Sequence, residues 1–295
     1  MHIRTARRLT ALAAIALVLA ACTSASDDST PTPAPAPAPS EPGDEVDDEV
    51  DEEPTAVVAV HVVRSAPTTF FIEPIPVRVP TFGDALSARV TAAVEALLAL
   101  TETGDAELST SVPAGTTLHR VSIDGSVVTL DLAGGIVGSS GSSAQEVTFA
   151  QQLAHTARVD ASIDSIALLI EGQPIDELWG HLDWSEPVAV DPFILSPVTV
   201  TTPLPDEEVA VGPVTFRGQA TVFEATVLVT LLDADGTVIE DSFVTATTGA
   251  PDRGTWEWTV TLPAPGTYTV IAAESDPSDG EGRPPFAASR TVQAR

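Results

Sequence analysis

The chain has 295 residues, with 13 Lys+Arg against 42 Asp+Glu, a formal net charge of -29 and a single cysteine. So acidic a surface excludes a nucleic-acid partner, which needs clustered basic residues against phosphate, and it repels anionic lipid headgroups. One cysteine excludes a disulfide scaffold, and the length suits two modest domains, each standing on its own packing, better than one large enzyme core.

At the N-terminus, Arg4, Arg7 and Arg8 form a positive region, residues 9–21 a short apolar run, and the small residues Ala20 and Ala21 precede Cys22. That run is too short to span a bilayer as a permanent helix. Leu19-Ala20-Ala21-Cys22 resembles the bacterial lipoprotein signal. The resemblance implies a signal peptide over 1–21, cleavage before Cys22, and lipid attachment at Cys22 as the route to the membrane. The protein is then expected at the extracytoplasmic face of the cell membrane, held by two or three acyl chains where one would bind only reversibly. The alternative is an ordinary secretory signal that happens to end near a cysteine.

Residues 22–54 hold a Pro-rich stretch, Pro31-Thr32-Pro33-Ala34-Pro35-Ala36-Pro37, and the acidic run Asp44-Glu45-Val46-Asp47-Asp48-Glu49. With so little apolar content the segment reads as a disordered, extended tether. The acids read as a solvated spacer, with calcium capture as the lesser alternative.

A first domain is expected over 55–180. Val57-Val58-Ala59-Val60-His61-Val62-Val63 is a β-branched run of strand length, and residues 75–79 supply a second strand beyond Phe70-Phe71. Gly83-Asp84 reads as a helix start with Asp84 as N-cap, and Leu86, Val90, Ala93, Val94, Leu97 and Leu98 share one helical face. Gly104 is expected to close that helix. Asp124-Gly125 between apolar runs predicts a type I′ hairpin. After a mobile Gly-rich loop over 134–143, Ser143-Ala144-Gln145-Glu146 matches a capping box for a second helix, and residues 163–171 give a last strand. The expected fold class is α+β: a small, mainly antiparallel sheet with two helices on one face.

Three segments of this domain resemble the GerMN family, which is named from a spore-germination protein and widespread in bacterial envelope lipoproteins. They are Ala92-Ala93-Val94-Glu95-Ala96-Leu97-Leu98, Leu108-Ser109-Thr110-Ser111-Val112-Pro113-Ala114-Gly115-Thr116 and Val128-Thr129-Leu130-Asp131-Leu132. The likeness covers 57–172, with Thr101-Glu102-Thr103-Gly104 in place of the family's Gly-Pro step. It implies protein contacts, as in ring-building relatives, rather than a reaction.

Residues 181–192 read as an interdomain linker with a hinge at 187–192. Over 193–295, short strands at roughly ten-residue spacing predict an all-β immunoglobulin-like sandwich. Residues 213–220 are expected to pair with 225–232, and Asp235-Gly236 turns the chain into 237–245. Trp256 and Trp258 share one strand face, and Tyr268 suits a tyrosine corner. Thr221-Val222-Phe223-Glu224-Ala225-Thr226-Val227 and Leu232-Asp233-Ala234-Asp235-Gly236 resemble the immunoglobulin-like domain of spore-germination lipoproteins, over 194–292.

No catalytic constellation emerges. His61, His119, His155 and His181 fall in separate elements without a nucleophile elbow, and zinc-binding and phosphate-loop spacings are absent, so no catalytic residue, metal or cofactor is expected. The acidic turns at 233–236 and 276–281 lack a full calcium-loop pattern. Trp179 and Trp184 in Trp179-Gly180-His181-Leu182-Asp183-Trp184 either pack the two domains together or form an exposed partner contact. The expected function is a non-enzymatic, lipid-anchored scaffold or protein-interaction module. A wall-glycan binding module is the alternative, and an unrecognised wall hydrolase a remote one; the partner is an envelope protein or wall glycan.

Overall fold

The structure is a computed structural model that describes residues 55–66, 69–103, 106–276 and 284–295. The signal, Cys22, the tether, Gly104 and most of the 276–281 turn lie outside the described residues.

The first domain begins with β1 (Thr55–Ser65) and β2 (Phe70–Pro80), paired antiparallel along their full length. Next come α1 (Leu86–Leu98), β3 (Leu108–Ser109), β4 (Thr116–Asp124), β5 (Val127–Gly134), α2 (Ser143–Ala157), β6 (Ser165–Ile170), β7 (Gln173–Pro174) and β8 (Val188–Ala189). These strands form two sheets rather than one: β2-β1-β3, and β4-β5-β6-β7 with β8 also on β6. Strands β5 and β6 are parallel because α2 carries the chain back across the sheet; the other pairings of the domain are antiparallel, so its sheets are mainly antiparallel as expected. The helices pack on each other and against both sheets. Val90, Ala93, Val94 and Leu97 of α1 meet Phe149, Ala150, Leu153 and Ala154 of α2 in one core, as the helical periodicity predicts.

Three local expectations shift. Asp84 does not cap α1; the cap position is Ala85, with no side-chain bond, and the helix stops at Leu98. The β4–β5 hairpin closes on the Asp124–Val127 pair, so Gly125-Ser126 is its two-residue loop. Only Gly125 has positive φ there, which rules out type I′. The capping box on α2 uses Ser142 and Gln145, one residue earlier than expected.

The second domain comprises β9 (Val198–Thr202), β10 (Glu207–Val209), β11 (Gly212–Ala220), β12 (Thr226–Leu232), β13 (Val238–Thr245), β14 (Gly254–Leu262), β15 (Gly266–Glu274) and β16 (Ala287–Ala294). It is a sandwich of two sheets, β10-β16-β15-β12-β13 over β14-β11-β9. The expected pairing of 213–220 with 225–232 is not made: β11 pairs with β14 and β9, while β12 lies in the other sheet. Glu224 and Ala225, both at positive φ, lift the chain from one sheet to the other. Alternation along β14 sends Trp256 and Trp258 inward and Glu257 outward. The Tyr268 hydroxyl donates to the Ala264 carbonyl at 2.9 Å, the corner the sequence predicts.

Residues 181–192 are bonded into the first domain rather than free. Strand β8 pairs with β6, the Val190 N–H donates to the Asp164 carbonyl, and the Asp191 N–H donates to Gln151.

Candidate functional site

Trp179 and Trp184 neither bridge the domains nor form an exposed platform. Both sit on the first domain's own core against Phe149, with ring centroids 5.4 and 6.3 Å from it. Trp184 is 3 % exposed and Trp179 is half-buried. Their organiser is Glu146, a fully buried carboxylate in the first turn of α2. It accepts from the Trp179 N–H at 3.1 Å, the His181 N–H at 2.9 Å and the Trp184 indole N–H at 3.0 Å. The helix N-terminus favours this negative charge. The one-residue shift of the capping box explains why the sequence concealed this role. A glutamate read as part of an exposed cap instead turns inward, about 100° round the helix from Gln145.

The Gly-rich loop before α2, expected to be mobile, is part of the same clamp. The Trp179 indole N–H donates to Ser139 at 3.0 Å, and a Cβ on Gly141 would stand 2.4 Å from the Trp179 ring.

His61 on β1 and His155 on α2 fall in separate elements as expected, and the fold brings their ring centroids within 5.4 Å. The His155 Nε2 lies 2.9 Å from the Asp191 carbonyl, which requires a proton on that nitrogen, while the His61 Nδ1 is buried without a hydrogen-bond partner among the described residues. Burial, the positive charge of a protonated His155 and Arg253 push His61 down to about 3, and burial likewise lowers His155. Both rings are therefore neutral at physiological pH. Among the described residues, no group of three or more His, Cys, Asp or Glu could hold a metal ion.

The junction of the two domains is built around Glu73 on β2. Its carboxylate accepts two bonds from Arg64 on β1, one of them at 3.0 Å, and a third from the Ser196 hydroxyl at 3.1 Å. The Ser196 N–H also donates to the Ile72 carbonyl at 2.9 Å. Phe71 leaves its own domain's core to pack on the sandwich, edge-on to Phe286 at 5.3 Å. Arg253 closes the joint from the second domain, donating to the Ser196 carbonyl at 2.9 Å. Burial lowers this guanidinium to about 10, partly offset by Glu73.

At the far edge of the sandwich, β13 pairs among the described residues only with β12, which leaves its other side open. Phe243 is 66 % exposed next to its exposed cross-strand partner Leu228, and Val238 and Ile239 are exposed at the start of the same strand. A bulge opposite Leu231 and Leu232 interrupts the strand, and Asp241 accepts from Thr230 on the same face.

Residues 54–176 match the family described as Sporulation and spore germination, Germane, and residues 197–281 match the Immunoglobulin-like domain of bacterial spore germination, Gmad2. The chain carries a Germane domain followed by a Gmad2 domain. Trp179, Trp184 and β8 lie past the residues matched to Germane, and β16 lies past those matched to Gmad2. Three solved structures resemble part of the chain, each covering 46 % of it. A protein described as a candidate lipoprotein from Clostridium perfringens is 20 % identical, with 87 % of its own chain covered and a TM-score of 0.33. The tandem GerMN domains of the sporulation protein GerM from Bacillus subtilis are 19 % identical, with 46 % covered and a TM-score of 0.37. The first GerMN domain of that protein is 17 % identical, with 96 % covered and a TM-score of 0.33. No curated protein matches the chain in sequence. Among the described residues, no helix is long and apolar enough to cross a membrane.

Proposed function

We propose that this protein is a non-enzymatic adaptor of the bacterial cell envelope, anchored by lipid at Cys22 on the outer face of the membrane. Its Gmad2 domain binds an extended segment of an envelope protein along β13. The observation that carries this reading is the open β13 edge. In an acidic protein, this strand combines a backbone edge unpaired among the described residues with exposed Phe243, Ile239 and Val238. An uncovered apolar edge is otherwise an aggregation hazard, and strand addition is a recurring mode of peptide recognition. The wall-glycan reading called for exposed tryptophans at 179 and 184, and the Glu146 clamp removes that support.

The test is site-specific photocrosslinking in cells of the full-length protein. A crosslinker at position 243 is expected to give one discrete protein adduct, a crosslinker at the exposed His119 none, and Ser242→Pro is expected to abolish the adduct at 243. Equal adducts at both positions, or retention by purified wall instead of a protein, overturns the reading. Labelled palmitate should enter the wild type and not Cys22→Ser; an unlabelled wild type removes the anchor.

A further inference from the structure

A second feature lies between the two domains. A cleft of about 610 Å³ is lined by Arg64, Glu73 and Thr103 from the Germane side and by Asp206, Ser289 and Arg290 from the Gmad2 side. Its volume is that of a small-ligand site, with an unusually polar wall. Most of the charge there is already used. Arg64 is paired with Glu73 and Glu107, and Glu73 is filled by Arg64 and Ser196.

Arg290 is the exception. It is only 9 % exposed, yet among the described residues its guanidinium makes one hydrogen bond, from Nη2 to the Val200 carbonyl at 2.6 Å. Its Nε is buried with no acceptor. A guanidinium carries five N–H donors, and leaving them unmet in a buried position is costly. By contrast Arg253, at the same junction, reaches Gln219, Ser196, Thr221 and Thr199.

The complementary group is Asp206. Its backbone N–H donates to the Thr291 carbonyl at 3.0 Å, which fixes it beside the residue following Arg290. Its exposed carboxylate makes no hydrogen bond or ion pair among the described residues. The cleft therefore offers one cation and one anion, each with unused bonding capacity. Glu73, Asp206 and Glu207 all lie within electrostatic reach of Arg290. Three carboxylates so placed oppose a polyanion such as a phosphate ester and leave room for a single negative charge.

We propose that this interdomain cleft binds a short zwitterionic peptide, its terminal carboxylate on Arg290 and its ammonium group on Asp206. A planar carboxylate can take two parallel N–H bonds from a guanidinium, and the cleft is larger than a free amino acid needs. Arg290 lies past the residues matched to Gmad2 and Asp206 lies within them.

The test is calorimetric titration of the full-length protein at low salt with trialanine, trialanine amide, N-acetyl-trialanine and inorganic phosphate. Trialanine is expected to saturate one site in the micromolar to millimolar range, with either capped peptide about tenfold weaker or worse. Arg290→Gln should abolish binding, its melting temperature being recorded alongside. Asp206→Asn, at an exposed position, should keep the wild-type melting temperature, weaken trialanine, and leave N-acetyl-trialanine unchanged. The proposal is overturned by absence of saturation up to about 10 mM trialanine, by equal binding of the amide, by an unaltered Asp206→Asn, or by phosphate binding as tightly as the peptide.

Discussion

Glu146 accepts the indole N–H of Trp184 at 3.0 Å inside a core where neither side chain meets solvent appreciably. Two backbone N–H groups, of Trp179 and His181, converge on the same carboxylate, so one side chain fixes the return path of the chain after β7. Glu146→Ala leaves three donors unmet, and the expected loss is about 3 kcal/mol or more. Glu146→Gln keeps an acceptor and should cost less. Urea unfolding followed by tryptophan fluorescence measures both; equal stability of Glu146→Ala and wild type would remove the clamp from this account.

The elements whose signal is local were legible in the sequence. The apolar face of α1, the inward alternation of Trp256 and Trp258, and the Tyr268 corner all follow from spacing alone. What depended on partners distant in sequence was not. Nothing local to residues 213–232 reveals that β11 and β12 belong to different sheets, because the switch rests on left-handed backbone at Glu224 and Ala225, neither of them glycine. Nothing local to Glu73 and Arg64 marks them out, because their shared role arises only when Ser196 is packed against them. Phe70-Phe71 was the available hint, since Phe71 packs away from its own domain's core.

Gly218 on β11 faces Trp256, its cross-strand partner. A Cβ there would stand 1.8 Å from the Thr199 carbonyl oxygen and 2.6 Å from the Trp256 ring. Gly218→Ala must displace a strand or turn the indole, and is expected to cost about 1–3 kcal/mol. Gly83→Ala, with open space around the new methyl group, should be near neutral. Near-ultraviolet circular dichroism, which reads the tryptophan environment, should change only for the first.

Glu73 serves as the shared acceptor of the joint. Glu73→Ala strips Arg64 of its buried partner, frees the Ser196 hydroxyl, and removes the carboxylate that offsets the burial of Arg253 and Arg290. Breaking such a buried pair from one side typically costs about 3–5 kcal/mol. The loss should fall on the contact between domains, so protease cleavage within 191–197 should accelerate while each core stays folded. Cleavage at the wild-type rate would mean that Phe71 and Ile72 hold the joint without the charge.

The His61–His155 pair makes stability depend on pH in a definite direction. In the unfolded chain both rings take up protons near the ordinary histidine value of about 6.5. In the folded protein His61 does so only at about 3, because of burial first and then the repulsion of His155 and Arg253. His155 is lowered by burial, against the Asp191 carbonyl that favours its charged form. The unfolded state therefore binds more protons between those values. The stabilisation is complete above the unfolded value and is lost as pH falls through the window toward 3. Exposed carboxylates titrate mainly below this range, so the interval from about pH 7 to pH 5 isolates the histidines. His61→Phe keeps a ring in the strand and removes a buried nitrogen that has no hydrogen-bond partner among the described residues. The urea midpoint of the wild type should fall from pH 7 to pH 5, and that of His61→Phe should fall less. If the two curves run parallel, His61 exchanges protons equally in both states and its ring is open to water.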